Sequence, residues 1–286
     1  MNKKESPTIR LTKKYFLKTF KDDIFGLSAE MAFYLLTAFF PFLILIFIIA
    51  TNVSEQMQSL LFNLIKALPN DAEDVVMNVL LNFTGSTPII ITSSIFALWS
   101  TSNVINTITK SLNRFYGVKE NRSFIGMRLL YILFSIVIII AIVLCFALII
   151  FGEGTGFLLQ YMDYFTFINK GALWNWMRYL AVITVLMLSL SAVFMVLPNK
   201  KLKFSDVFIG AVLTTTAWCV VSWGFSYYVN NFSRYHVIYG SIAGIIILIT
   251  WIYISGFIIL AGGILNSILL EAKKARHLHT IYSKQS

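Results

Sequence analysis

From Met127 to Phe151 the chain runs for 25 residues with a single charge, Arg128, at its second position. Inside a bilayer no water is available to bond the peptide groups, so such a stretch must satisfy them within itself, as a helix. A span takes about 20 mostly apolar residues. Six segments reach that length: 27–51, 88–109, 127–151, 174–197, 206–230 and 238–270. The first is too long, and too far from the N-terminus, to be a cleaved signal peptide. The fold class expected is therefore all-α, a polytopic membrane helical bundle with six transmembrane helices. The last segment is the longest. As a helix it measures ~50 Å against a hydrocarbon core of ~30 Å, so it is expected to tilt, bend at its glycines or project.

Charge orients the bundle. Only 13% of the residues are charged, yet the formal net charge is +10. Nineteen of the 23 basic residues fall in four places: the first 26 residues, the stretch 110–128, the turn 199–205 and the tail 271–286. The other sides keep Lys66, Lys170, Arg178 and Arg234, alongside Glu55, Asp71, Glu73, Asp74, Glu153 and Asp163. Basic residues gather on the cytoplasmic side of membrane proteins. Six spans with this alternation place both termini in the cytoplasm. They also assign the positive charge to orientation and to anionic lipid headgroups, not to nucleic acid.

Outside the spans, residues 1–26 form a basic amphipathic segment. Ile9, Phe16, Phe20 and Ile24 alternate there with Lys13, Lys14, Lys18 and Lys21, so its apolar side either lies in the membrane surface or packs beneath the bundle. Residues 52–87 read as two short outer amphipathic helices separated at Pro69 and Asn70. Residues 271–286 are a basic tail. The stretch GEGTG at 152–156 follows a span, not a strand, and lacks the Lys-Ser/Thr of a phosphate loop, so it reads as a helix end. Cys145 and Cys219 lie inside spans without metal-ligand spacing.

A polar side chain in hydrocarbon costs free energy unless it meets a partner or water, so intramembrane polar groups are candidates for function. The second span places Ser100, Asn103, Asn106 or Thr107, Lys110 and Arg114 on one helix face. The fifth carries Thr215, Cys219, Ser222, Ser226 and Asn230 at the same spacing. The first has Glu30, Tyr34, Thr37 and Pro41 on one side, and Glu30 is the only carboxylate near a span interior. Together these faces define a candidate polar groove; Glu30 either pairs there with Lys110 or Arg114 or sits at the membrane interface, capped by water. In the last segment, Gly240, Trp251 and Gly262 recur every eleven residues, as do Gly244, Ser255 and Asn266. Eleven residues make about three helical turns, so these six positions form one narrow stripe; a stripe of small residues usually serves helix packing, the alternative being a surface that lines a substrate path.

Enzyme chemistry finds little purchase. The three histidines are His236, His277 and His279, and no Gly-x-Ser-x-Gly elbow or Asp-rich phosphate motif is present. No metal, cofactor or catalytic residue is expected. The segments AFYLLTAFFPFLI (32–44), LWSTSNVINTITKSLNRFYG (98–117), LPNKKLKFSDVFIGA (197–211), FSYYVNNFSRYHVIYGSIAG and WIYISGFIILAGGILN, in that order, resemble the YihY/BrkB family of bacterial inner-membrane proteins. The resemblance covers nearly the whole chain. It implies a six-helix membrane domain and, by analogy with members tied to envelope integrity or lipid export, a transport role. Some members bear an old "ribonuclease BN" label, which the residues above argue against. Members often carry a glutamate in a Gly-Ala-Glu-x-Asn pattern in the last span; here Ile264 stands at that position. Two functions compete on this reading: a translocator of lipid or another envelope component, and a non-transporting membrane scaffold in which the polar stripes bond only to one another. Membrane lipids are the expected partners under either, and a homo-oligomer is compatible with both.

Overall fold

The computed structural model describes residues 7–53, 77, 87–159, 172–232 and 243–285. Seven helices account for nearly all of these: α1 (Pro7–Lys21), α2 (Ile24–Val53), α3 (Thr87–Tyr116), α4 (Phe124–Leu159), α5 (Ala172–Val196), α6 (Phe204–Phe232) and α7 (Ala243–Gln285). The described residues contain no strand. Each of the six apolar segments lies, over its described residues, mainly on one of the helices α2 to α7; residues 238–242 of the last lie outside the described residues. Four stretches, on α4, α5, α6 and α7, are long and apolar enough to cross a membrane, and α2 contributes a shorter apolar stretch, Ile24–Phe39. The outer segment 52–87 lies almost wholly outside the described residues.

Two helix limits differ from the sequence reading. α4 continues through Gly152–Gly156 to Leu159, where a helix end was expected. α7 does not stop near Leu270 but carries the basic tail as helix to Gln285. The tail's Glu, Lys, Arg and Ala are good helix formers, and a helix leaving an apolar span continues until something breaks it.

The chain divides into two compact units. One comprises Met1–Lys18, Leu112–Thr216 and Gly262–Ser286; the other comprises Thr19–Ser111 and Ala217–Ala261. In the first unit α4 and α5 pack together. Leu112, Phe115, Phe194, Leu197, Val207 and Ile264 form its fully buried core. The outward faces of α4 and α5 are apolar instead: Leu129, Leu133, Val137, Ile140, Trp176 and Leu180 are all more than half exposed. A water-soluble helix hides such a face, so these surfaces are made for lipid.

In the second unit, Ile24, Met31, Ile105 and Leu260 are buried. Gly256 on α7 lies against the Ser28 carbonyl and Met31 of α2, at 3.5 and 3.6 Å from where a Cβ would stand. Phe25 stacks on Phe257 at 5.3 Å between centroids. Trp218 donates its indole N–H to Ser255 Oγ at 3.0 Å and packs edge-on to Trp251.

The turns are closed by backbone chemistry. At the end of α3, Gly117 takes φ +62°, the left-handed conformation that glycine adopts without a Cβ clash. Val118 N–H then reaches the Asn113 carbonyl and Gly117 N–H the Arg114 carbonyl, the double bond of a Schellman stop. At the start of α6, Asp206 accepts from the Lys203 N–H at 3.2 Å, the reach-back half of a capping box.

Candidate functional site

The polar face of α3 starts as a run of short side chains among apolar ones, and its inner residues are buried: Ser100, Ser102, Asn103, Thr107, Thr109 and Ser111. Most hydroxyls along it bond to their own helix. Thr107, Thr109 and Ser111 donate to the carbonyls four residues earlier, at 2.7–3.1 Å. Ser28 on α2 and Thr214 and Thr215 on α6 do likewise. This back-bonding lets a hydroxyl sit in an apolar environment without a second helix.

Thr107 goes further. Its Oγ1 also lies 2.8 Å from Glu30 Oε1, joining the carboxylate of α2 to the buried side of α3. Glu30 itself is exposed at the surface of its unit. The Ser100 hydroxyl, two turns further along α3 and fully buried, has no hydrogen-bond partner among the described residues.

The other candidate groove residues are spread more widely. On α2, Tyr34 is half-buried, and its carbonyl accepts from Thr37 Oγ1. On α3, Asn106 is half-buried, while Lys110 and Arg114 are exposed. Among the described residues of its own unit, Thr107 is the partner that Glu30 meets. On α6, Ser222 is half-buried and Ser226 exposed. Asn230 lies outside the residues whose side chains are described. Beside the polar face, α3 presents an open apolar hollow lined by Thr92, Ile95, Phe96 and Trp99, with a volume near 410 Å³.

In the stripe of α7, Gly244, Trp251 and Ser255 are half-buried, and Gly262 and Asn266 are buried; Gly240 lies outside the described residues. A Cβ at Gly262 would overlap Thr214 Oγ1 of α6. Asn266 faces Gly210 of α6 so closely that a Cβ on Gly210 would overlap its amide. Asn266 is 0% exposed, and neither amide atom has a partner among the described residues. Ile264, at the position of the family's glutamate, is fully buried.

A second polar assembly, which the sequence reading did not single out, ties the α3–α4 loop to the α5–α6 turn. Arg122 grips Glu120 with two nitrogens, both at 2.7 Å, and spends Nη2 again on the Leu197 carbonyl at 2.8 Å. Asn113 donates to the same carboxylate, and its own oxygen accepts the Asn199 N–H at 2.7 Å. The Arg122 hydrogen bonds, opposed by burial, hold Glu120 down to a pKa of about 2. Nearby, burial and then the Asp206 charge raise the pKa of Tyr116, so its phenol stays a neutral donor. Among the described residues, no three His, Cys, Asp or Glu side chains gather as a metal site.

Residues 16–284 match the family model described as Virulence factor BrkB. The chain is 36% identical over 255 residues to the ribonuclease-like protein YfkH of Bacillus subtilis, covering 86% of this chain and 90% of that protein. It is 26% identical over 283 residues to a UPF0761 membrane protein of Alteromonas mediterranea, covering 95% and 93% of the two chains. A UPF0761 membrane protein of Actinobacillus pleuropneumoniae is 25% identical over 266 residues, 90% of this chain and 92% of its own. No solved structure matches the chain.

Proposed function

Because the chain belongs to the virulence factor BrkB family, whose relatives here include bacterial membrane proteins, we propose that it moves a lipid or another polar envelope component across the inner membrane. In this reading α2 to α7 make six spans with both termini in the cytoplasm. The observation that carries the proposal is the Glu30–Thr107 contact. A carboxylate inside an apolar span is costly to keep unless it serves a polar pathway. Glu30 stands exposed at its unit's surface, anchored to the buried polar side of α3. A headgroup would travel past Asn103 and Asn106, drawn in by the exposed Lys110. The protein acts without a catalytic residue or cofactor, and the histidines at 236, 277 and 279 have no role in it.

A second reading, a non-transporting scaffold for the envelope, draws its support from a different observation: most hydroxyls of α3 are satisfied by their own helix. Comparing the lipid composition of the two inner-membrane leaflets in cells with and without the protein separates the readings. A changed leaflet distribution supports translocation; an unchanged one, with a weakened envelope, supports the scaffold.

A further inference from the structure

Lysines from outside α3 gather around its last turn. Lys18 Nζ donates to the Phe115 carbonyl and, at 2.9 Å, to Ser267 Oγ, and lies 3.6 Å from Glu271 Oε1. Lys14 takes the other oxygen of Glu271. Lys200 Nζ sits 4.9 Å from the centre of the Tyr116 ring, with no hydrogen-bonded or ion-paired acceptor among the described residues. Burial, then the Lys274 charge, pushes its pKa down; Lys18 adds to this, and Glu271 opposes it. Lys14 and Lys18 thus share the Glu271 carboxylate, whose charge also reaches Lys200. The other acid close by, Asp206, is already held by Lys273 at 2.6 Å.

Three of the acceptors that the C-terminus of α3 offers to cations are also taken. The Asn113 and Arg114 carbonyls are used by Val118 and Gly117, and the Phe115 carbonyl by Lys18. What remains unmatched is donors. Beneath Lys200, Tyr116 is 8% exposed, and its hydroxyl has no hydrogen-bond partner among the described residues. A buried O–H without an acceptor has lost its hydration and gained nothing in return. Lys200 lies over the ring that bears this hydroxyl, and Lys18 caps the neighbouring carbonyl; such donors suit a ligand with negative charge and several acceptor oxygens, and lysine binds phosphate as a point charge.

We propose that Lys200, Lys18 and the Tyr116 hydroxyl form a binding site for a phosphate group, within the electrostatic reach of Lys14 and Lys274. Lys200 swings from the ring face to the phosphate, and the hydroxyl donates to one of its oxygens. Lys18 holds the floor of the site in place while contributing charge. This is equilibrium binding and does not rest on translocation: a scaffold would bind the same group. The phosphate belongs either to a lipid headgroup or to a soluble ion.

The test uses the full chain in an uncharged detergent and follows thermal unfolding. One arm titrates short-chain phosphatidylglycerol, the other inorganic phosphate, each against chloride at equal ionic strength. At least one probe should raise the unfolding midpoint saturably. Lys200→Ala should weaken that response roughly fivefold, the share of one lysine near an anionic group. Tyr116→Phe, which keeps the ring and so the packing, should weaken it severalfold, while Arg128→Ala on α4 should leave it unchanged. A response to phosphatidylglycerol alone assigns the site to lipid; a response to both assigns it to phosphate itself. The proposal is overturned if neither probe acts beyond chloride, or if Tyr116→Phe and Lys200→Ala respond as the unaltered protein does.

Discussion

Single residues carry several of the tightest constraints. Gly210 is one, because Asn266 occupies the space its side chain would need. Gly210→Ala should lower stability by about 1–3 kcal/mol, the usual cost of overpacking a core. Asn266→Ala removes both the obstacle and a buried amide without partners, so it should recover most of that loss in the double variant. Unfolding midpoints of the four proteins give the coupling directly; simple additivity would contradict the contact. The sequence reading placed Asn266 in a stripe of small residues but not Gly210 opposite it. Gly210 stands in the FIGA stretch that marked the family resemblance, yet nothing in its own neighbourhood reveals that α7 approaches there. Periodicity ranks the faces of one helix and is silent about which residue of another helix meets them.

Glu120 makes a residue-scale prediction in pH. Its carboxyl is held at about 2 against an ordinary 4.5, so the folded state binds the proton less readily than the unfolded one. Its contribution to stability is complete above about pH 4.5 and is lost as pH falls toward about 2. Unfolding curves of the wild type and Glu120→Gln should converge across that window, and parallel curves would contradict the assignment.

At the scale of elements, the long apolar helices were legible because lipid leaves a chain few choices: a long uncharged run must be helical. Charge-rich segments offered less. The tail after Leu270 is helical to Gln285, and its helix formers favour that, but propensity alone is a weak guide where no long apolar run enforces a helix. The knot of Asn113, Glu120, Arg122 and Asn199 was illegible for another reason. Its members are 86 residues apart at the widest hydrogen bond, and each alone looks like an ordinary polar loop residue. Arg122→Ala should loosen the α3–α4 loop from the α5–α6 turn and cost about 1–2 kcal/mol, limited because the pair is about a quarter exposed. Arg122→Lys should not restore it, since an ammonium cannot make the two-nitrogen grip. Full recovery by lysine would show that charge alone matters there.

At the scale of the whole molecule, membrane crossing follows from four long apolar stretches with lipid-ready faces, and the proposed topology adds a definite sidedness. With Cys145 and Cys219 replaced, a cysteine at Ser123, Lys201 or Lys284 should be shielded from an impermeant maleimide added to intact spheroplasts. One at Lys170 should react. Labelling of Ser123→Cys from outside would invert or break the six-span arrangement. Glu30 was legible from sequence because a lone carboxylate in a span stands out; its partner Thr107 was visible only as one of two equivalent positions on the α3 face.

Transport through that polar side is tested most directly in proteoliposomes holding the purified protein and fluorescent lipids of several headgroups, with an impermeant quencher outside. The expected result is movement of at least one headgroup between leaflets above the protein-free rate, reduced at least tenfold by Glu30→Gln in a variant whose unfolding midpoint is unchanged. No movement of any headgroup, or movement that Glu30→Gln leaves untouched, would contradict the proposed pathway.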